Sequence, residues 1–314
     1  MDSASSASIN DDQFALYDRQ IRLWGLNVQK RIANASVLLI GLNGCSAEAA
    51  KNLILAGTNY LCIADGRLNA KESYNINIES FMLQARSQYE PMKRSVQSYF
   101  QSLNPSVKCD LESQGYVISL NHICRKLNKQ FIYGLTFGKF GIIFNDLGHY
   151  EYSTKQVAIE DGHDNKRARS TFSSSSENLS DKYDHHIKQY VEFMTAVDQD
   201  WSAFKPRTLK KLSDAFLVFK LRVEFEKMYN RVPTIDDINT LMRLCSDVLP
   251  KETTMTIDKV RNLFDDDYVP SNVIIGGMIS QEVTKIVSRI GHPIHNFFLL
   301  DCHSCKGLEQ CIGL

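Results

Sequence analysis

The chain has 314 residues, a formal net charge of zero at pH 7 and 43% hydrophobic residues. That length and apolar content allow one large or two ordinary globular domains, and the balanced charge excludes an overall electrostatic attraction for nucleic acid or anionic membranes. A run of about 18 apolar residues and a signal-peptide pattern are both absent from the sequence, so we expect a soluble, intracellular protein. Its eight cysteines lack the spacing of a disulfide framework, which predicts reduced thiols.

The N-terminal region divides into a leader and a helix. Residues 1–12 are rich in Ser, Ala and Asp, which predicts a flexible leader. Apolar side chains then recur at three- and four-residue spacing, which predicts a helix over residues 13–33 that Gly25 and Asn27 bend or interrupt.

A strand, a tight turn, a helix and a second strand follow. The apolar run 37–40 ends in a turn that contains Gly41 and Gly44, a helical pattern continues to Gly57, and a second apolar run ends in Asp65. This order predicts the first half of a Rossmann-like βαβ unit, and therefore an α/β fold.

The remaining sequence predicts four further segments. Residues 13–156 form the first part of the α/β domain, with strands at 131–134 and 141–146 joined by a turn at 137–141. Residues 157–190 are polar and predict a disordered linker, residues 191–268 a partly helical insertion, and residues 269–314 a return to the first domain through a helix and a strand.

One segment is too short for a regular parallel sheet. Only seventeen residues, 106–122, lie between two better-defined patterns, and residues 115–119 are the one strand candidate that we identify there. A parallel crossover needs about a dozen residues or more, so we expect that the chain is shortened here. A missing central strand would expose the edges of its neighbours.

Several motifs carry a resemblance to a known family. They are residues 17–25 (YDRQIRLWG), 50–57 (AKNLILAG), 137–138 with 145–148 (FG and NDLG), 160–169 (EDGHDNKRAR) and 276–283 (GGMISQEV). With these motifs the chain resembles the ThiF/MoeB-like superfamily of ubiquitin-type activating enzymes, and within it the small-subunit family of SUMO-activating enzymes. The linker and Trp201 favour that branch over the related NEDD8 subunits.

This resemblance implies a ThiF/MoeB adenylation fold with an N-terminal helix and a helical insertion. It also implies a heterodimer in which the large subunit holds ATP, Mg²⁺ and the thioester-forming cysteine, and adenylates the C-terminus of SUMO before the transfer to that cysteine. This chain would be the regulatory, pseudo-adenylation half, with little activity alone. The expected partners are the large subunit and SUMO, not nucleic acid or a membrane, and the expected location is the nucleus, with the cytoplasm as the alternative.

The residues of a nucleotide site are incomplete by comparison with active members of the superfamily. Asn43 and Ser46 stand in the turn beside Gly41 and Gly44, and Ile78 replaces an arginine of the motif at 75–79. Fewer glycines reduce the close approach of backbone to phosphate. We therefore interpret both glycines as vestigial, with strand-to-helix packing as the simpler explanation of their presence.

Asp65 occupies the position of a ribose-binding acid, but capping of a loop explains it equally well. A magnesium-binding acid has no convincing counterpart, since it would fall in the shortened region, and the motif of the thioester cysteine is also missing. The sequence therefore predicts no metal site and no firmly bound cofactor in this chain.

Arg19 is the predicted catalytic residue. The resemblance implies that it reaches across the dimer to the phosphates of ATP held by the partner subunit, a role that suits a permanently charged guanidinium. The simpler alternative is a solvated helix face or an intrachain ion pair, and we assign that structural role to Arg22.

Three other polar groups receive minor interpretations. Cys302 and Cys305, with Cys311, look like half a zinc site without a second pair, so we interpret them as structural thiols. The adjacent residues His185 and His186 are expected to be solvated within the linker, and the basic residues 166–169 are consistent with a nuclear-import signal.

Three alternative functions remain open at this stage. An autonomous ThiF/MoeB-like adenylating enzyme would need the arginine that Ile78 replaces. An NAD-dependent Rossmann oxidoreductase is favoured by Gly41, Gly44 and Asp65 taken alone, but a third glycine is missing. A purely structural binding protein would result if the shortened segment prevented a productive dimer.

Overall fold

The computed structural model describes residues 11–65, 92–112, 120–155, 183–201, 204–265 and 268–313. The helices in these ranges are α1 (Asp11–Leu16), α2 (Asp18–Trp24), α3 (Leu26–Ile32), α4 (Gly44–Ala56), α5 (Met92–Leu103), α6 (Leu120–Lys126), α7 (Phe193–Val197), α8 (Pro206–Leu209), α9 (Asp214–Tyr229), α10 (Ile238–Val248), α11 (Ile257–Arg261) and α12 (Val269–Ser288). The strands are β1 (Ser36–Ile40), β2 (Tyr60–Ala64), β3 (Lys108–Glu112), β4 (Phe131–Phe137), β5 (Phe140–Asp146), β6 (His149–Lys155), β7 (Tyr183–Gln189), β8 (Phe297–Asp301) and β9 (Lys306–Gln310).

A parallel three-stranded sheet forms the first layer, in the order β1-β2-β3. Helices α4 and α5 pack on one face of it through a buried cluster that contains Leu53, Leu61, Ile63 and Phe100. The predicted strands at 37–40 and after Tyr60, and the helix between them, are confirmed. The α/β fold class predicted from the sequence is therefore correct.

An antiparallel four-stranded sheet, in the order β4-β5-β8-β9, forms the second layer. Its core is rich in aromatic side chains, with Phe144 against Phe297 and Phe297 against Phe216 of α9 at ring-centroid distances of 4.9 and 5.2 Å. The predicted strands at 131–134, 141–146 and 297–301 are confirmed.

Helix α12 joins the two sheets. It packs along α4 and also against β4 and β5. Gly276 allows this close packing, because a Cβ atom there would overlap the Glu48 side chain and the Cys45 carbonyl oxygen. The helix predicted at the start of the segment 269–314 is confirmed as α12.

The N-terminal region differs from the single helix predicted over 13–33. It forms the three short helices α1, α2 and α3, and α1 begins at Asp11, inside the predicted leader 1–12, of which residues 1–10 lie outside the described residues. The expected interruption at Gly25 is confirmed, since its φ of 87° ends α2. A second break occurs at Tyr17, whose ring is buried against Gly57.

The prediction for residues 106–122 is wrong in one respect. A strand does exist there, but it is β3, which pairs in parallel with β2. Residues 113–119, which include the predicted strand candidate 115–119, lie outside the described residues. Within the described ranges β1 and β4 each pair with a strand on one side only.

The predicted linker 157–190 is wrong for its last residues. Strand β7 lies within it and forms an antiparallel ribbon with β6. His185 and His186 are therefore strand residues, and they contact Ser153 Oγ at 3.0 Å and Thr154 Oγ1 at 2.7 Å. His185 is exposed, as expected, whereas His186 is half-buried. Tyr150 and Tyr152 of β6 are the buried residues of this ribbon, which explains why β7 itself can be polar.

Helices α7 to α11 occupy the segment predicted as a partly helical insertion. Thr234 and Asp237 cap each other before α10. Among the described residues, the structure shows no helix with the length and apolar character needed to span a bilayer.

Candidate functional site

The turn between β1 and α4 is the position of a phosphate-binding loop in nucleotide-binding βαβ units, but the N–H groups of residues 41, 42, 43 and 46 are already engaged. Asn43 and Ser46 form a reciprocal cap: Ser46 N–H donates to Asn43 Oδ1 at 2.9 Å, and Asn43 N–H donates to Ser46 Oγ at 2.8 Å. Gly41 N–H donates to the carbonyl oxygen of Ala64 at 2.8 Å. Helix N-termini bind anions through such N–H groups, so a phosphate here would have to displace internal acceptors.

Asp65 supplies a further internal acceptor at the same turn. It follows β2 directly, is buried, and its Oδ2 accepts the Leu42 N–H at 2.6 Å. A carboxylate at this place is stabilised by the positive end of the α4 dipole. The structure therefore brings Gly41, Gly44 and Asp65 together as the sequence suggested, with the Asp65 carboxylate bonded to the turn itself.

The two glycines of the turn have different structural reasons. Gly44 is required by packing, because a Cβ atom there would overlap the side-chain amide of Asn272 on α12. Asn272 is held in turn by Thr136 Oγ1, which donates to its Oδ1 at 2.6 Å. Gly41 has open space around it, and its φ of 87° favours glycine. Packing therefore explains Gly44, whereas the positive φ of the backbone explains Gly41.

Arg19 lies far from this turn. It is on α2, its side chain is exposed, and it makes no hydrogen bond or ion pair with another residue in the described ranges. Its neighbour Gln20 donates from Nε2 to the Leu55 carbonyl oxygen at 3.2 Å, at the C-terminal end of α4. The 13 residues of α4 span about 20 Å, so Arg19 and the turn lie at opposite ends of that helix.

Arg22 is bound within its own helix. Its guanidinium pairs with the Asp18 carboxylate at 3.0 Å, and both side chains are exposed. Exposed pairs of this kind contribute about 0 to 1 kcal/mol. The geometry agrees with the structural role that the sequence suggested for Arg22 and leaves Arg19 as the unpaired cation of α2 among the described residues.

The cysteines show no metal-binding geometry among the described residues, where no group of three or more His, Cys, Asp or Glu side chains converges. All eight cysteines are free thiols, as predicted. Cys302 and Cys305 lie in the turn between β8 and β9, and Cys311 Sγ lies 4.0 Å from His295 Nδ1. Burial raises the pKa of the Cys109 thiol to about 11 and also raises that of Cys311.

Two predicted features cannot be placed. Residues 75–79, with Ile78, and the basic residues 166–169 lie outside the described residues. Sequence reasoning also missed three side-chain amides, those of Gln20, Gln29 and Asn104, that bind the C-terminal end of α4. Their bonds join residues 27 to 50 positions apart, so no local pattern could have revealed them.

The chain is similar over nearly its whole length to SUMO-activating enzyme subunit 1 of Xenopus tropicalis, with 30% identity over 98% of each chain. The chain belongs to the SUMO-activating enzyme subunit 1 family. The member of this family from Homo sapiens is 29% identical, again over 98% of each chain. The chain thus has an E1-like role related to adenylation.

The fold is similar to that of a solved ThiF/MoeB-like structure, E. coli MccB with MccA-N7isoASN, with a TM-score of 0.51 and 11% identity over 97% of this chain and 73% of that one. No family model matches the chain. The structural likeness supports the ThiF/MoeB fold, and the family membership rests on the relatives.

Proposed function

We propose that this chain is the non-thioester subunit of a heterodimeric SUMO-activating enzyme. The large subunit binds ATP and Mg²⁺ and adenylates the C-terminal glycine of SUMO, which then passes to a cysteine of that subunit. This chain acts as the regulatory, pseudo-adenylation half, with little activity alone, and it contributes Arg19 to the ATP site of its partner. The complex acts in the nucleus.

The separation of Arg19 from the turn of its own chain carries this proposal. A cation about 20 Å away, at the far end of α4, cannot neutralise a phosphate bound at residues 41–46. Its exposed position suits a phosphate that belongs to a second subunit. A guanidinium suits the role because it is permanently charged and can donate two parallel hydrogen bonds to phosphate oxygens.

The engaged amides of the turn support the same division of roles. The N–H groups of residues 41, 42, 43 and 46 all have acceptors within the protein, so this chain offers a poor site for its own nucleotide. A poor nucleotide site in this chain is consistent with the proposal that the partner subunit binds the ATP.

The test is SUMO-dependent exchange between ATP and pyrophosphate, measured for this chain alone, for the large subunit alone and for both together. We expect exchange only with both chains, and a large loss of exchange in the Arg19→Ala complex. Full exchange by the Arg19→Ala complex would contradict the role of Arg19. Exchange by this chain alone would favour the autonomous adenylating enzyme instead.

A further inference from the structure

The C-terminal end of α4 is closed by side chains from elsewhere in the chain. The last four carbonyl groups of a helix have no partners one turn further on. In α4, Thr58 N–H and Oγ1 donate to the Leu53 carbonyl oxygen. The next three carbonyl oxygens each accept a hydrogen bond from a side-chain amide: Ile54 from Asn104 at 2.9 Å, Leu55 from Gln20 at 3.2 Å and Ala56 from Gln29 at 2.9 Å. We call Gln20, Gln29 and Asn104 the amide cap.

The amide cap also holds the helices that carry Arg19. Gln29 is fully buried on α3, and its Oε1 accepts the Trp24 Nε1–H at 3.1 Å, which ties the end of α2 to the same place. Asn104 Nδ2 donates a second hydrogen bond, to the Tyr17 hydroxyl at 2.8 Å. Asn104 Oδ1 accepts the Ser106 N–H at 3.2 Å, so this buried amide is bonded through both of its polar atoms.

Arg19 therefore lies between anchored neighbours. Tyr17, two residues before it, is bound to Asn104, and Gln20, one residue after it, is bound to α4. Helix α2 has only seven residues, and isolated helices shorter than about 12 are marginal in water, so α2 depends on these contacts for its direction. The exposed guanidinium is thus carried by a short helix whose orientation is set by the end of α4.

We propose that Gln20, Gln29 and Asn104 are positioning residues for Arg19. They fix α2 against the carbonyl end of α4 and thereby aim the guanidinium at the ATP of the partner subunit. This inference rests on the proposed function, since it concerns how the Arg19 guanidinium is oriented towards the ATP of the partner subunit. Neutral amides suit the task because a carboxylate would meet both the carbonyl oxygens and the negative end of the α4 dipole.

The test uses the full chain in complex with the large subunit, with SUMO-dependent pyrophosphate exchange as the readout. The variants are Gln20→Met and Gln29→Met, each alone and combined with Arg19→Ala. The loss of one such hydrogen bond, about 1 kcal/mol, corresponds to a rate change of about fivefold. We therefore expect kcat to fall about fivefold in Gln20→Met and further in Gln29→Met, which removes two hydrogen bonds, with little change in the KM for ATP. In the Arg19→Ala background neither substitution should lower kcat further.

The matched control is Asn34→Ala. Asn34 also donates an amide hydrogen bond to a helix carbonyl, that of Lys30 at 2.7 Å, but this carbonyl belongs to the exposed end of α3 and not to α4. This variant should exchange at the wild-type rate. Gln20→Met separates positioning from folding, because Gln20 Oε1 is buried without a partner among the described residues, and methionine removes this unpaired acceptor together with the bond.

The outcomes separate the two proposals. If Arg19→Ala leaves exchange intact, the proposed function fails, and this inference fails with it. If Arg19→Ala lowers exchange but Gln20→Met and Gln29→Met leave kcat unchanged, or lower it equally in the presence and absence of Arg19, only the positioning role is overturned. Loss of the Gln20→Met effect in the Arg19→Ala background, with an unchanged melting temperature, supports it.

Discussion

At the scale of single residues, the chain combines an unpaired cation with an internally occupied anion site. Arg19 makes no hydrogen bond or ion pair within the described part of the chain, whereas the turn at residues 41–46 is bonded to Asp65, Asn43 and Ser46. The cation and the backbone turn that together would bind a phosphate are thus far apart in this chain. This separation is the physical basis for assigning Arg19 to a nucleotide bound elsewhere.

Arg19→Lys is expected to restore only a small part of the activity that Arg19→Ala loses. Arginines that act on a neighbouring subunit's nucleotide raise kcat by about 10³-fold or more. A lysine keeps the positive charge but lacks the planar arrangement of hydrogen-bond donors of a guanidinium. Exchange kinetics of the two complexes check this, with Arg22→Gln as the control on the same helix. Equal rates for Arg19→Lys and the wild type would show that charge alone suffices.

At the scale of elements, the two ends of α4 are closed by different means. Its N-terminus carries the reciprocal cap of Asn43 and Ser46, and its C-terminus carries the amide cap. Both devices satisfy backbone groups that would otherwise bind water or a ligand. Because backbone groups at both ends of α4 have partners within the protein, we infer that this helix has a structural role and does not bind nucleotide.

Asn43→Ala is expected to lower the free energy of unfolding by about 1 kcal/mol, the usual effect of losing an N-cap side chain. Exchange by the complex should be unchanged, because the turn holds no nucleotide in the proposed mechanism. Urea denaturation of the chain and exchange by the complex check the two parts. A loss of exchange without a loss of stability would mean that the turn still binds a substrate.

The start of α10 predicts a pH dependence of stability. The Arg231 guanidinium, which binds both carboxylate oxygens of Asp237 at 2.6 and 2.7 Å, and donors of Thr234 hold the pKa of Asp237 well below its usual value. The stabilisation is therefore complete above the ordinary carboxyl pKa of about 3.9 and is lost as the pH falls towards the lower folded value.

Asp237→Asn should thus lower the melting temperature at pH 7, and the difference from the wild type should shrink below about pH 4, where the unfolded carboxyl takes up a proton. Melting curves between pH 7 and pH 2 measure this. Asp258→Asn is the control, because Asp258 is exposed and lies 3.9 Å from Arg261 in a weak pair. A difference that stays constant with pH would exclude the ionic contribution.

At the scale of the whole molecule, the two sheets are not joined by a strand in the described ranges. The outer edges of β1 and β4 have no strand partner there, and Leu38 in the middle of β1 is 60% exposed. The alignment with the Xenopus tropicalis relative extends over 352 positions, more than the 314 residues of this chain, so the relative has stretches without a counterpart here. Unprotected edges of apolar strands pair with other chains.

We therefore expect the isolated chain to self-associate as its concentration rises, and Leu38→Lys to reduce this, because an edge lysine opposes strand pairing. Light scattering over a concentration series measures the association. Leu127→Lys is the control, since Leu127 is similarly exposed but follows α6 and is not a strand residue. If both substitutions reduced self-association equally, the reduction would reflect the solubility of an added lysine and not the blocking of strand pairing at the β1 edge.

The sequence predicted the elements whose patterns are local. The apolar runs of β1 and β2, the hairpin of β4 and β5, and the helix α12 all agree with the structure. Strand β3 was missed because its alternation is polar, with Lys108 and Asp110 on one face and Cys109 on the other. Strand β7 was missed because the buried tyrosines of its ribbon belong to β6.

The candidate site was predicted less completely than the fold. Sequence reasoning identified Arg19, Gly41, Gly44 and Asp65, and recognised that Asn43 and Ser46 weaken the turn, but not that these two residues cap each other. The distance between Arg19 and the turn depends on hydrogen bonds between residues far apart in the chain, such as Gln29 with Ala56. Such pairs leave no periodic signal.

The length of helix α4 fixes both the distance and the rotation about its axis between its first turn and its last turn. Each residue of an α-helix adds 1.5 Å of length and about 100° of rotation. Its first turn is held against α12 by the overlap-free fit of Gly44 beside Asn272, while its last turn orients α2. One inserted or deleted residue in Gly44–Ala56 would thus swing the Arg19 guanidinium about a quarter of a turn around the helix axis, so the length of this helix is as constrained as the arginine itself.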